Sequence, residues 1–145
     1  MERIEQIISK VNQLASALTR IQWEPFRQDA ILEFSIAGND KKPILLRLVG
    51  IHFFATRQSL LGGPVMDCPE ERRVDFFGIF DDSPFIRQFI KGEIKYCGQV
   101  IVYDRHGRTI GESNFTKPLY INVNSSDGIL DVVCENVEEC FGIVT

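Results

Sequence analysis

The chain has 145 residues, 44% of them hydrophobic and 25% charged, with a formal net charge of −4. That composition is too apolar for intrinsic disorder, and the length is enough to bury a core without a disulfide or metal, so a single domain over residues 1–145 is expected. No block is basic enough to neutralise a phosphate backbone, which removes nucleic acid from the expected partners.

The opening Met1-Glu2-Arg3-Ile4-Glu5-Gln6 contains no apolar run of signal-peptide length. No run elsewhere is long enough to span a bilayer, so a cytoplasmic protein with no membrane partner is expected. The four cysteines (Cys68, Cys97, Cys134 and Cys140) read as reduced, mostly packed thiols. There is no Cys-x-x-Cys, and His52 and His106 lie far from any paired cysteine spacing. Neither a zinc site nor a cofactor is expected.

In chain order, residues 4–21 read as one amphipathic helix. Ile4, Ile7, Ile8, Val11, Leu14, Ala15, Leu18 and Ile21 recur at helical spacing, and Pro25 ends the element. Its polar face is not Lys/Arg-rich, so packing on a sheet is favoured over lying on a membrane. Strands follow at 29–37 and 43–55, separated by a turn at 38–42. The second is apolar on both faces, and Gly50 marks a candidate bulge within it. Residues 56–72 lack periodicity. Leu60-Leu61-Gly62-Gly63-Pro64-Val65-Met66 within them reads either as a contact loop or as a flap over the core.

Residues 73–80 read as a strand. Asp81-Asp82-Ser83-Pro84 then starts a short helix, with an Asp or Ser cap and Pro in the first turn, and Gly92 stops it. Strands are expected from Glu93 to Val102, with Tyr96, Val100 and Val102 alternating, and from Arg108 to Phe115 around an Asp104–Gly107 turn. Two more run from Leu119 to Val123 and from Leu130 to Cys134, around a 125–128 turn. Val137 falls out of parity with the last strand, which predicts a bulge near Asn136. The expected fold is α+β: an N-terminal amphipathic helix packed on a mostly antiparallel sheet of about six to eight strands, with one short helix midway.

Catalytic patterns are sparse. Cys97 with His52 or His106 is the only nucleophile–base combination to consider, and no Gly-x-Ser-x-Gly element is present. Asp81-Asp82 and Glu70-Glu71 are adjacent carboxylates with no opposed environments to separate their acidities. A Cys/His or carboxylate enzyme is therefore the third reading. The second is a carrier or sensor of a small apolar ligand, in a cavity lined by Phe34, Phe53, Phe54, Phe76, Phe77, Phe80 and Phe89.

The first reading comes from charge. Residues 63–145 hold fourteen acids against eight bases, and residues 118–145 hold five acids with no Lys or Arg. Alternation about Leu130, Val132 and Cys134 sends Asp131 and Glu135 outward, and Glu138 and Glu139 extend the negative field. Such a face steers a basic protein partner. The expected function is a non-catalytic protein-binding module, of an inhibitory or immunity type. Asp131, Glu135, Glu138 and Glu139 are its partner-binding residues, joined by Leu60, Leu61 and Met66. The oligomeric state is open.

Overall fold

The computed structural model describes residues 2–24, 26, 28–38, 42–57, 76–94, 98–103, 118–125 and 128–140. Helix α1 (Glu2–Leu14) is followed without a break by β1 (Ala15–Glu24), then β2 (Asp29–Ile36), β3 (Ile44–Val49), β4 (Phe53–Arg57) and β5 (Phe77–Phe80). Helix α2 (Pro84–Lys91), β6 (Gln99–Tyr103), β7 (Leu119–Ser125), β8 (Gly128–Cys134) and β9 (Asn136–Glu139) complete the order among the described residues. The strand expected from Glu93 begins at Gln99, and the strand expected over 108–115 lies outside the described residues. The fold is α+β, and every described strand pair is antiparallel.

The strands form two sheets rather than the one expected. Four lie in the order β1-β2-β3-β9 and five in the order β5-β7-β8-β4-β6. Two strands run from one sheet into the other at a shared corner, as sheets packed at an angle require. β3 passes into β4 through Gly50, and β8 passes into β9 through Glu135. The corner is stitched by Glu135 N donating to Val49 O at 2.9 Å and His52 N donating to Val133 O at 2.8 Å. Gly50 takes φ = 66°, a left-handed conformation that glycine adopts without Cβ strain. The apolar run 43–55 is therefore two strands around a sheet switch. The parity break at Val137 has the same origin, and is not a bulge in one strand.

The helix predicted over 4–21 ends at Leu14. Its first half behaves as expected: Ile4, Ile7 and Val11 are buried, and Glu2 and Glu5 sit in the first turn, where the helix dipole favours them. The second half pairs with β2 as β1. Register shifts between Ala15 and Ala17 and between Leu18 and Arg20 disturb its alternation, so a bulged edge strand carries a spacing that resembles a helical stripe.

Side chains pack into two cores. The first gathers Ile4, Ile7 and Val11 of α1 with Leu32, Phe34, Leu46, Leu48, Phe54, Phe77, Ile121 and Val132 from both sheets. Phe34 meets Phe77 edge-on at 5.5 Å, and Trp23 meets Phe54 at 5.8 Å. The second lies on the opposite face of the five-stranded sheet. There Phe53, Ala55, Tyr120 and Val133 pack with Phe85, Ile86 and Phe89 of α2. Ser83 caps that helix by accepting from Ile86 N, and Gly92 ends it at φ = 71°. Ser83, not Asp81 or Asp82, is the cap; Asp82 instead pairs with Arg87 at 2.6 Å.

Candidate partner-binding surface

The acids expected to form one outward face are dispersed. Asp131 is 1% exposed, because the side of β8 opposite Leu130 and Val132 is itself covered. Its Oδ1 accepts from the Tyr120 hydroxyl and, at 2.9 Å, from Asn122 Nδ2. Asn122 Oδ1 in turn accepts from Asn124 Nδ2 at 2.9 Å. Cross-strand register sets Asn122 opposite Asp131 and Tyr120 opposite Val133, so this polar chain continues the same face that α2 covers. It is a buried network, and Asp131 is not available to a partner.

Glu135 sits at the sheet-switching corner. Its carboxylate packs over Gly50, and its Oε2 lies 4.0 Å from His52 Nε2. Glu139 is bound to Lys10 of α1, at 2.6 Å. Of the four acids only Glu138 is exposed. Arg3 belongs to the same seam, donating to Val137 O at 2.5 Å and to Asn136 Oδ1 at 2.9 Å. The i, i+7 spacing of Arg3 and Lys10 places both bases over β9. The exposed Glu2, Glu5 and Glu138 around that seam keep its surroundings negative.

Leu60, Leu61 and Met66 lie outside the described residues, as do Cys68, Glu70, Glu71, Cys97 and His106. The Phe side chains do not line one chamber. Phe34, Phe54, Phe76 and Phe77 belong to the first core, and Phe53, Phe80 and Phe89 to the second, on the other face of the sheet. Burial pushes the Cys134 thiol far above the ordinary range, so it is a packed group and not a nucleophile.

A different surface stands out at the end of the β1–β2 hairpin. Phe26 is fully exposed, at 102%, and Ile21 on β1 is 37% exposed. The base of this turn is braced. Arg47 Nη1 lies 3.5 Å from both Glu24 Oε2 and Asp29 Oδ2. Gly50 N donates to Asp29 Oδ1 at 3.1 Å, and Ile51 N donates to Gln28 O at 2.7 Å. The turn is thus fastened to the corner where the sheets meet. Reading residues 15–21 as helix hid this hairpin. The signal that reveals it is an aromatic beside Pro25, between Trp23 and the alternating run that begins at Asp29.

Among the described residues no helix is long and apolar enough to cross a membrane, and no group of three His, Cys, Asp or Glu is placed to hold a metal. Comparison with protein-family models and with curated proteins returns no match.

Proposed function

We propose that this chain is a non-catalytic protein-binding module that docks through the end of its β1–β2 hairpin. The observation that carries the reading is Phe26: a phenylalanine wholly in solvent, on a turn held by Arg47, Asp29 and the Gly50 corner. Single exposed apolar residues are ordinary. Phe26 differs because the residues at the base of its turn, Glu24, Gln28 and Asp29, are already held, so part of the ordering that a partner would require is in place. Buried aromatic anchors of this kind dominate many protein interfaces.

The finer class, an inhibitory or immunity-type protein acting on a basic partner, draws support from the net charge of −4 and from exposed Glu2, Glu5 and Glu138. Charge of this kind raises the association rate and fades with salt. Asp131 has no part in it.

The test is affinity capture from native lysate with the wild-type chain, Phe26→Ser and Glu138→Lys, followed by binding measurements on the captured partner. Phe26→Ser should weaken that partner by at least about thirtyfold, the scale of a hot-spot residue. Glu138→Lys should slow association and flatten its salt dependence. A partner held equally by wild type and Phe26→Ser would sink the docking surface.

A further inference from the structure

Among the described residues each sheet ends in two edge strands, and the four are treated differently. On β9, Arg3 occupies the Val137 carbonyl. On β5, the Asn12 amide acts as a substitute strand: Nδ2 donates to Phe77 O at 2.9 Å, and Phe77 N donates to Oδ1 at 3.1 Å. Helix α1 therefore closes one edge of each sheet. β6 is five residues long with a register shift against β4. β1 is ten residues long and has no buried side chain. Its irregularities stop at Arg20, and Arg20 to Glu24 pair with β2 in unbroken register. Bulges blunt an edge against foreign strands, and this half of β1 has none.

The residues on that regular half are self-complementary. Arg20, Gln22 and Glu24 share one face. Ile21 and Trp23 share the other, opposite buried Leu32 and Ala30 of β2. Two copies laid antiparallel about Gln22 bring Arg20 opposite Glu24 of the second copy, and Glu24 opposite Arg20 of the second copy. Ile21 then faces Trp23 of the second copy, and Gln22 lies on the two-fold axis. From these observations we infer that the β1 edge is a homodimerisation strand, joining two four-stranded sheets into one of eight strands around a two-fold axis. An isologous contact requires this kind of palindrome, and opposite charges and apolar pairs directly across strands are the units that stabilise sheet pairing. Thr19, Arg20 and Ile21 are exposed in the single chain. Glu24 keeps 29% of its side chain exposed beside Arg47, so both members of the charge pair are accessible. The contact is small and falls in the weak, reversible class of interfaces. It borders the surface around Phe26, with Ile21 and Glu24 common to both, but the two are read apart: this one by self-association and docking at Phe26 by capture.

Sedimentation of the full chain from about 1 µM to about 1 mM should show a reversible monomer–dimer equilibrium. Arg20→Glu places two carboxylates opposite each other twice, and should raise the dimer Kd roughly tenfold or more. Glu24→Arg should do the same with two guanidinium groups. An equimolar mixture of the two variants restores both pairs, and should associate about as well as wild type. Thermal unfolding of each variant checks that it is folded, and the Arg20→Glu arm avoids disturbing Arg47. A wild-type chain that stays monomeric throughout, with the edge left for a foreign strand, overturns the inference. So does a dimer indifferent to Arg20→Glu, or single variants that stay apart when mixed.

Discussion

Replacing Gly50 with alanine tests whether the corner is built as described. At φ = 66° an L-residue meets its own backbone, a strain of about 1 kcal/mol. The new methyl would also overlap Glu135 Oε2 and stand 2.7 Å from Cδ and 3.0 Å from Cγ. The carboxylate end is flexible, but contact reaching back to Cγ forces the whole side chain to swing away from His52. Displacing it adds about 1 kcal/mol, a typical value for a part-buried interaction. The sum is about 2 kcal/mol, or about 6 °C in Tm for a chain of this length. Denaturant unfolding of wild type, Gly50→Ala, Glu135→Ala and the double variant separates the two parts. In the Glu135→Ala background the Gly50→Ala penalty should fall to the backbone part, about 1 kcal/mol. An equal penalty in both backgrounds refutes the collision, and no penalty in either refutes the left-handed requirement.

Asp131→Ala leaves the Tyr120 hydroxyl and the Asn122 amide without their shared acceptor and should destabilise by about 2–4 kcal/mol. Asp131→Asn, which keeps an acceptor oxygen, should lose clearly less in the same denaturation assay. Asn12→Ala should lower stability by about 1 kcal/mol and speed hydrogen exchange at the Phe77 amide, because the edge of β5 loses its substitute strand. Cys134 should resist thiol reagents in the native protein and react only after unfolding, as read by mass spectrometry of labelled peptides. Its acidity is depressed in the folded state, so the unfolded chain releases that proton first. Stability should therefore fall as pH rises above about 8.5, by up to about 1.4 kcal/mol per pH unit. Cys134→Ala should remove that component from the difference between the two alkaline unfolding curves.

What was legible in the sequence follows physical rules that act locally. Ser83-Pro84 and Gly92 bracket α2 because a cap, a fixed φ and a left-handed stop need no tertiary context. The stripe of Ile4, Ile7 and Val11 marks α1 for the same reason. The end of α1 was hidden because Ala15, Leu18 and Ile21 prolong the spacing, and no glycine or proline intervenes before Pro25. Alternation on β8 is legible as a pattern, but its two faces are not an inside and an outside, because both are buried. The face holding Asp131 also holds Val133, and its cross-strand neighbour is Tyr120, so it was never a plainly solvated face. That second cover comes from α2, about forty residues earlier in the chain, a relation no local period records. No local pattern marks Phe26 as a hairpin tip, because the helical spacing of residues 15–21 conceals the strand that precedes it.

The dependence of α1 on β9 has a consequence for how the protein is made. Arg3 and its carbonyl partner on Val137 are separated by 134 residues, and Lys10 from Glu139 by 129. A ribosome adding about 5–20 residues per second therefore delivers the helix on the order of ten seconds before the strand that its Arg3 and Lys10 engage. Throughout that interval the nascent chain carries Ile4, Ile7 and Val11 without their final cover, a ready ligand for chaperones that bind apolar segments. Any change that delays synthesis of residues 136–139 postpones completion of that cover, to which Val137 contributes, without altering a single contact of the finished molecule.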